Sequence, residues 1–242
     1  MERIGVHDYE AIPFLGKSLA CSHLEIEGIF SHFANSELSN LTHARLQLER
    51  FEEVLDFYNK RSIPRPLIRH MANSGAILQL PESHYDMVRP GVMLYGVYPG
   101  TEVKRTIDVQ TALTWRSKVA YSKITLPGRP VSYGSLWQTE MPTRIVTIPC
   151  GYADGYFRTM TDKARVIVNG KKFNQVGRIC MDQFMVNLAD YEAEVGDEVI
   201  LLGKSESGER ITPEDLADWA NTNEYEIMTN ISARVPRVFI TE

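Results

Sequence analysis

Apolar residues recur with helical spacing through residues 41–58. Leu41, Ala44, Leu48, Phe51, Leu55 and Tyr58 are separated by 3, 4, 3, 4 and 3 residues, one face of a 3.6-residue turn. The spacing predicts an amphipathic helix, with Ser39 or Asn40 as its cap and Pro64 beyond its end. Short apolar runs surround it. Residues 24–30 and 67–71 read as strands, and 76–80 read as a short helix after the turn Ala72-Asn73-Ser74-Gly75. Residues 87–88 and 92–97 read as a further strand-like unit interrupted by Arg89-Pro90-Gly91. Strands alternating with helices at this spacing imply βα units and a parallel sheet.

The pattern changes after residue 100. Strands are expected near 112–124, 144–148, 164–168, 175–179, 184–187 and 198–202, separated by Pro127-Gly128, Asn169-Gly170 and Gly196-Asp197. Asn169-Gly170 between Arg165–Val168 and Lys171–Phe173 is a strong hairpin signal. Thr212-Pro213-Glu214 opens a helix, with Thr212 as N-cap and Pro213 in the first turn, running to about Thr222. The polar stretch 100–108 separates an α/β part, residues 1–100, from a mostly-β, barrel-like part, residues 108–242.

Composition narrows the function classes. Lys plus Arg number 26 and Asp plus Glu 31, a net charge of −5, which excludes a generally basic nucleic-acid binder. Apolar residues make up 43% and charged residues 24%, as in an ordinary globular protein. Apolar runs such as 195–202 fall far short of the ~20 residues that span a bilayer, so no membrane association is expected. Residues 1–20 contain Glu2, Asp8 and Glu10 and no apolar signal core. Cys21, Cys150 and Cys180 form no CxxC pair, so a zinc site and a disulfide framework are not expected and a reducing cytoplasm is.

Two segments are candidates for chemistry. In residues 148–156, Gly151 and Gly155 flank Tyr152, Ala153 and Asp154; glycines allow a sharp turn and close backbone approach. A tyrosine held at such a turn serves as an acid or base where neighbours lower its reference pKa of ~10; the alternative is an ordinary aromatic loop. Residues 177–183 place Arg178, Cys180, Met181 and Asp182 around a second turn. A small cysteine with apolar flanks is more often a packing residue than a nucleophile. His32, at the end of the first strand, is the best-placed histidine; His7, His23, His43, His70 and His84 show no metal-ligand spacing. No GxGxxG, GxxxxGK[ST] or GxSxG occurs.

Taken in order, several segments resemble the alanine racemases, a family of pyridoxal 5′-phosphate enzymes: Met1-x-Arg3-Ile4-Gly5, Ser31-His32-Phe33-Ala34, Ala72-Asn73-Ser74, residues 88–96 around Arg89-Pro90-Gly91-Val92, Val131-Ser132-Tyr133-Gly134, Gly151-Tyr152-Ala153-Asp154-Gly155, residues 176–183 and residues 231–237. Each is weak alone; the ordered set is specific. The resemblance implies the C-terminal half of a (β/α)₈ barrel followed by a β-rich domain. It implies that Tyr152 exchanges the α-proton on one face of an amino-acid substrate. Arg89 would point at the cofactor's pyridine nitrogen, with His32 beside the ring, and Ser74, Gly91 and Val92 would cradle its phosphate. Arg3 would orient the substrate carboxylate, and Met181 and Asp182 would border the substrate's approach. It further implies a homodimer, in which the tyrosine and Met-Asp loops serve the partner's active site, and a role in supplying D-alanine for the cell wall.

The resemblance also implies a lysine that carries the cofactor as a Schiff base and acts on the opposite face, in a lysine-alanine-asparagine-alanine-tyrosine-type segment. No such segment is present. The chain therefore reads as a C-terminal portion holding about four of eight barrel strands, inactive by itself, or as a non-catalytic module or half of a split enzyme needing a partner chain, or as a related amino-acid racemase. Ala233 stands where some members carry a tyrosine that reaches the phosphate. Open sheet edges in residues 1–100 predict low stability for that part, whereas about 135 residues of β-domain suffice to bury a core. In a urea titration, residues 1–100 are expected to unfold first, in a separate transition. A single cooperative transition for both parts would contradict this.

Overall fold

The computed structural model describes residues 1–62, 64 and 68–240. They form two compact units, Met1–Gln110 and Thr111–Glu242.

The first unit contains α1 (Asp8–Leu19), β1 (Gly28–Phe30), α2 (Thr42–Lys60), β2 (Ile68–His70) and α3 (Ser74–Gln79). The apolar face read from the sequence is the face that α2 buries. Ala44, Leu48, Phe51 and Leu55 pack with Phe33, Met71, Ala72, Ala76 and Leu80, each large side chain contributing roughly 1.5–3 kcal/mol. The cap differs from expectation. Leu41 occupies the N-cap position without a side-chain bond, while Asn40 Oδ1 accepts the Thr42 N–H at 3.0 Å. α1 was not foreseen because Pro13 and Gly16 lie inside it, and both residues disfavour helix interiors. Its Leu15 nonetheless packs on Phe57 and Tyr58 of α2.

β1 and β2 pair in parallel, with Gly28 opposite Ile68, Ile29 opposite Arg69 and Phe30 opposite His70. Leu67, assigned to the second strand from its sequence, lies outside the described residues. The unit presents two paired strands and an isolated parallel bridge between Asn73 and Arg89, rather than the longer series expected. Residues 87–88 form no strand, and 92–97 hold a short 3₁₀ turn, Val92–Tyr95. Pro90 lacks the N–H a ladder requires, and Gly96 closes the turn in the left-handed region at φ 73°. α3 begins at Ser74, two residues earlier than the apolar run suggested, because the Asn73 side chain caps it by accepting the Ala76 N–H at 3.1 Å.

The second unit contains β3 (Trp115–Lys118), β4 (Tyr121–Thr125), β5 (Pro130–Val131), β6 (Trp137–Gln138), β7 (Thr143–Ile148), β8 (Arg165–Val168), β9 (Lys171–Val176), β10 (Phe184–Ala189), β11 (Glu198–Lys204), β12 (Arg210–Ile211), α4 (Pro213–Ala220) and α5 (Glu224–Asn230). β5 and β6 pair with each other, and the other strands form one antiparallel sheet in the order β12-β11-β8-β9-β10-β7-β4, with β3 also on β11. The expected strand 112–124 is divided because it changes partner midway. β3 pairs with β11 and β4 with β7; between them the Val119 N–H donates to Asp197 O and the Ala120 N–H to Thr147 O, each at 2.9 Å. The sheet is therefore curled, and it encloses a core that includes Val146, Ile148, Val166, Phe184, Val199 and Leu201.

Turn chemistry follows the sequence closely. Asn169 and Gly170 have φ values of 46° and 80°, the pair of positive values a type I′ hairpin demands. β9 runs without interruption from Lys171 and ends at Val176, where Gly177 turns the chain; the expected strand 175–179 is thus the end of this one. α4 opens with a reciprocal capping box. The Asp215 N–H donates to Thr212 Oγ1 at 3.2 Å and the Thr212 N–H to Asp215 Oδ2 at 2.8 Å. The helix stops at Ala220 because Asn221 adopts the left-handed conformation, and α5 follows with Asn223 as its cap. Thr212→Ala is expected to lower the stability of the second unit by about 1 kcal/mol, read as a shift in its urea midpoint, with Thr212→Ser near wild type.

Candidate functional site

Three backbone segments of the first unit end side by side. β1 leads into Ser31-His32, β2 into Met71-Ala72-Asn73, and the third segment reaches Arg89, whose N–H donates to Ala72 O at 2.9 Å. This brings Arg89 among groups distant in sequence. Its Nη2 donates to Ser31 O at 2.8 Å and Met71 O at 3.3 Å and meets His32 Nδ1 at 3.1 Å, while Nη1 meets His70 Nδ1. Phe30 stacks on His70 with centroids 5.1 Å apart, and the guanidinium lies 5.6 Å from the Phe30 centroid.

These contacts settle the charge states. A guanidinium only donates, so the Nδ1 atoms facing it must accept. Each neutral ring then carries its proton on Nε2; the Asn73 Nδ2 contact to His32 Nε2, at 3.5 Å, is too long to compete. Burial, then the charges of Arg89, Arg3 and the chain amino terminus, hold His32 below the ordinary histidine value. Burial and Arg89 do the same for His70. Among the described residues no carboxylate pairs with Arg89, and its Nε–H has no protein partner.

The other expected residues of this unit lie nearby or apart as follows. Ser74 is buried at the start of α3, and its Oγ accepts the Gly91 N–H at 2.9 Å, leaving its own hydroxyl proton to donate. Val92, buried, starts the 3₁₀ turn that follows Gly91. Asn73 supports this corner, accepting from Ser36 Oγ at 2.5 Å. Arg3 is exposed, and its charge is felt at His32. His70 was missed in the sequence because nothing in its spacing distinguishes it.

In the second unit, Tyr152 opens a short 3₁₀ turn, Tyr152–Asp154, after Gly151. The turn rests on the 180–182 segment through Tyr152 N–H to Cys180 O at 3.1 Å and Ala153 N–H to Met181 O at 3.0 Å. A Cβ on Gly151 would stand 2.3 Å from Cys180 O and 2.4 Å from Met181 O, so only glycine permits this approach. Asp154 accepts from Gly151 N–H at 2.8 Å. Arg234, not singled out from the sequence, donates to Asp154 and to Asp182. Burial opposes ionisation of Asp154, but the bonds from Arg234 and Gly151 outweigh it and hold the carboxyl below its usual value.

The Tyr152 side chain is 42% exposed and lines an open recess of about 780 Å³ with Ser132, Tyr133, Cys180, Met181 and Asp182. Tyr152, Met181 and Asp182 are thus brought together in this unit. Cys150 is buried, which pushes its thiol well up and keeps it from serving as a nucleophile. Cys180 is half-buried, its Sγ 3.5 Å from Ser132 Oγ. No cluster of metal-ligating groups exists among the described residues, and no helix among them is long and apolar enough to cross a membrane.

The chain was compared with known proteins. Residues 1–99 match the model of the alanine racemase N-terminal domain and residues 112–239 that of the alanine racemase C-terminal domain. It is 45% identical over 242 residues to an alanine racemase of Carboxydothermus hydrogenoformans, covering 99% of this chain and 65% of the relative. Among solved structures it resembles the alanine racemase of a D-cycloserine-producing Streptomyces lavendulae, with a TM-score of 0.93, 39% identity and coverage of 100% of this chain and 64% of that one. It resembles the Bacillus anthracis alanine racemase with bound L-Ala-P with a TM-score of 0.90, 35% identity and coverage of 100% and 62%. The chain thus spans a little under two thirds of the relatives' length.

The histidine states give a pH dependence. Both rings bind a proton less readily folded than unfolded, so below the ordinary value of 6.5 the unfolded chain takes up protons the folded one refuses. The stability these two rings contribute is therefore fully present above about 6.5 and is lost as the pH drops below it. His70→Gln, which keeps an acceptor for Arg89, is expected to reduce the slope of urea midpoint against pH between 6.5 and 5; an unchanged slope would remove His70 from this account.

Proposed function

This chain belongs to the alanine racemase family, and from that premise we propose that it takes part in interconverting L- and D-alanine with pyridoxal 5′-phosphate. In this reading, residues 1–100 are part of a (β/α)₈ barrel and residues 108–242 are the family's β-rich C-terminal domain. The protein works in the cytoplasm, as a homodimer with shared active sites, and supplies D-alanine for the cell wall.

The observation that carries the reading is Arg89. A half-buried cation that, among the described residues, has both Nη groups engaged, no carboxylate partner and no partner at Nε–H suits a neutral heteroaromatic acceptor. The hydroxyl proton of Ser74, with the turn at Gly91 and Val92, offers donors to a phosphate. These residues fit the cofactor. When bound, pyridoxal phosphate withdraws electrons from the substrate's α-carbon and loosens its proton. Arg89 does not give up its proton, so facing the ring nitrogen it would donate there and leave that nitrogen unprotonated, which would restrain the withdrawal and favour proton exchange. His32, neutral and donating from Nε2, holds the edge of the ring pocket. Tyr152 takes the α-proton on one face and returns it. Arg3 grips the substrate carboxylate, and Met181 and Asp182 border its approach.

No lysine stands in the sequence context of the family's cofactor-bearing lysine, so these residues act on one face of the α-carbon only. Racemisation is expected when a polypeptide carrying that lysine segment is added, and not from the chain alone. In the complemented mixture, Tyr152→Phe is expected to lower the rate by roughly 10²–10⁴-fold, the usual scale for a positioned acid or base. A Tyr152→Phe rate equal to wild type would overturn the assignment, and turnover by these 242 residues alone would overturn the need for the lysine segment.

A further inference from the structure

We propose that Arg234 is a positioning residue: its guanidinium ties the Tyr152 turn to the Met181–Asp182 turn and sets where the Tyr152 phenol stands in its recess. The inference rests on the assignment of Tyr152 above. Two turns 28 residues apart in the chain must keep a fixed separation for a phenol at one to meet a ligand bordered by the other. Two backbone bonds, from Tyr152 and Ala153 to Cys180 O and Met181 O, hold their inner edges. The outer edges carry a carboxylate each, Asp154 and Asp182, and like charges so placed repel.

Arg234 converts that repulsion into a tie. Nε donates to Asp154 Oδ1 at 2.6 Å, Nη2 to Asp154 Oδ2 at 3.2 Å and Nη2 again to Asp182 Oδ1 at 2.6 Å. The two bonds to Asp154 are the bidentate fork that a planar guanidinium makes and an ammonium does not. Isolated surface pairs contribute little, but here one side of the tie is anchored. Asp154 is only 14% exposed; its carbonyl accepts the Ser232 N–H at 2.9 Å, two residues before Arg234. Arg237 clasps the same loop by donating to Ile231 O at 2.7 Å and Ser232 O at 2.9 Å. The guanidinium therefore starts from a braced backbone and loses little freedom in gripping both acids.

Hydrogen exchange of the intact chain tests this without turnover, so it remains informative if the proposed reaction is wrong. In R234Q, amides 151–155 and 179–183 are expected to exchange about tenfold faster, with β7 and β11 unchanged, the signature of a local opening. R234K is expected to restore protection to at most one of the two turns, because a single ammonium holds one carboxylate at a time. D182N leaves the Asp154 fork intact and is expected to loosen 179–183 alone; combined with R234Q it should add nothing at that segment. Unchanged exchange at 151–155 in R234Q, an increase spread equally over β7 and β11, or full restoration by R234K would each overturn the proposal.

Discussion

A guanidinium keeps its charge at any pH a protein meets, and it accepts nothing. Half-buried Arg89 therefore dictates what can surround it. The chain meets that demand with two backbone carbonyls, Ser31 O and Met71 O, and two imidazole nitrogens. All four come from the ends of β1 and β2, so the parallel register that sets Phe30 opposite His70 is also what closes the shell around Arg89. A slip of one residue would send His70 to the other face of the strand and leave Nη1 without its acceptor. The neutrality of both histidines follows from the same contacts, since neither ring can present Nδ1 to a donor and bear a second proton there. A carboxylate in place of either histidine would also satisfy Arg89, but it would cancel the guanidinium's charge.

The second unit solves a different problem. A side chain at a surface turn is held still, without using its own polar atom, only if the backbone beneath it is fixed. Here the backbone does the holding. Gly151 lets the turn approach within contact of the Cys180 and Met181 carbonyls, the N–H groups of Tyr152 and Ala153 lock onto them, and the Asp154 carboxylate closes the turn on the Gly151 N–H. Among the described residues the phenol takes no part in this framework and faces the recess.

What was legible in the sequence was local. The face of α2, the Asn169-Gly170 hairpin and the Thr212 N-cap are decided within a few residues, and the structure forms each of them. α1 and α5 were not legible: the first contains a proline and a glycine, and the second has only seven residues. The division of 112–124 into β3 and β4 depends on β11 and β7, which follow it in sequence. The candidate site divides in the same way. Tyr152 and its glycines stand together in one motif, whereas His70 lies 19 residues from Arg89 and Arg234 lies 80 from Asp154. Contacts of that range are set by strand register and loop return, and no periodicity announces them.

The charges around the two sites also differ in sign. The first unit gathers Arg3 and Arg89 with no carboxylate paired to either among the described residues, whereas the Tyr152 turn gathers Asp154 and Asp182 around the single charge of Arg234. At physiological ionic strength such fields decay over about 8 Å, so neither is governed by the chain's net charge of −5. Each acts only on the part of a ligand lying directly against it. That makes the exact placement of a few side chains, Arg89 and Arg234 foremost, matter more than the overall charge.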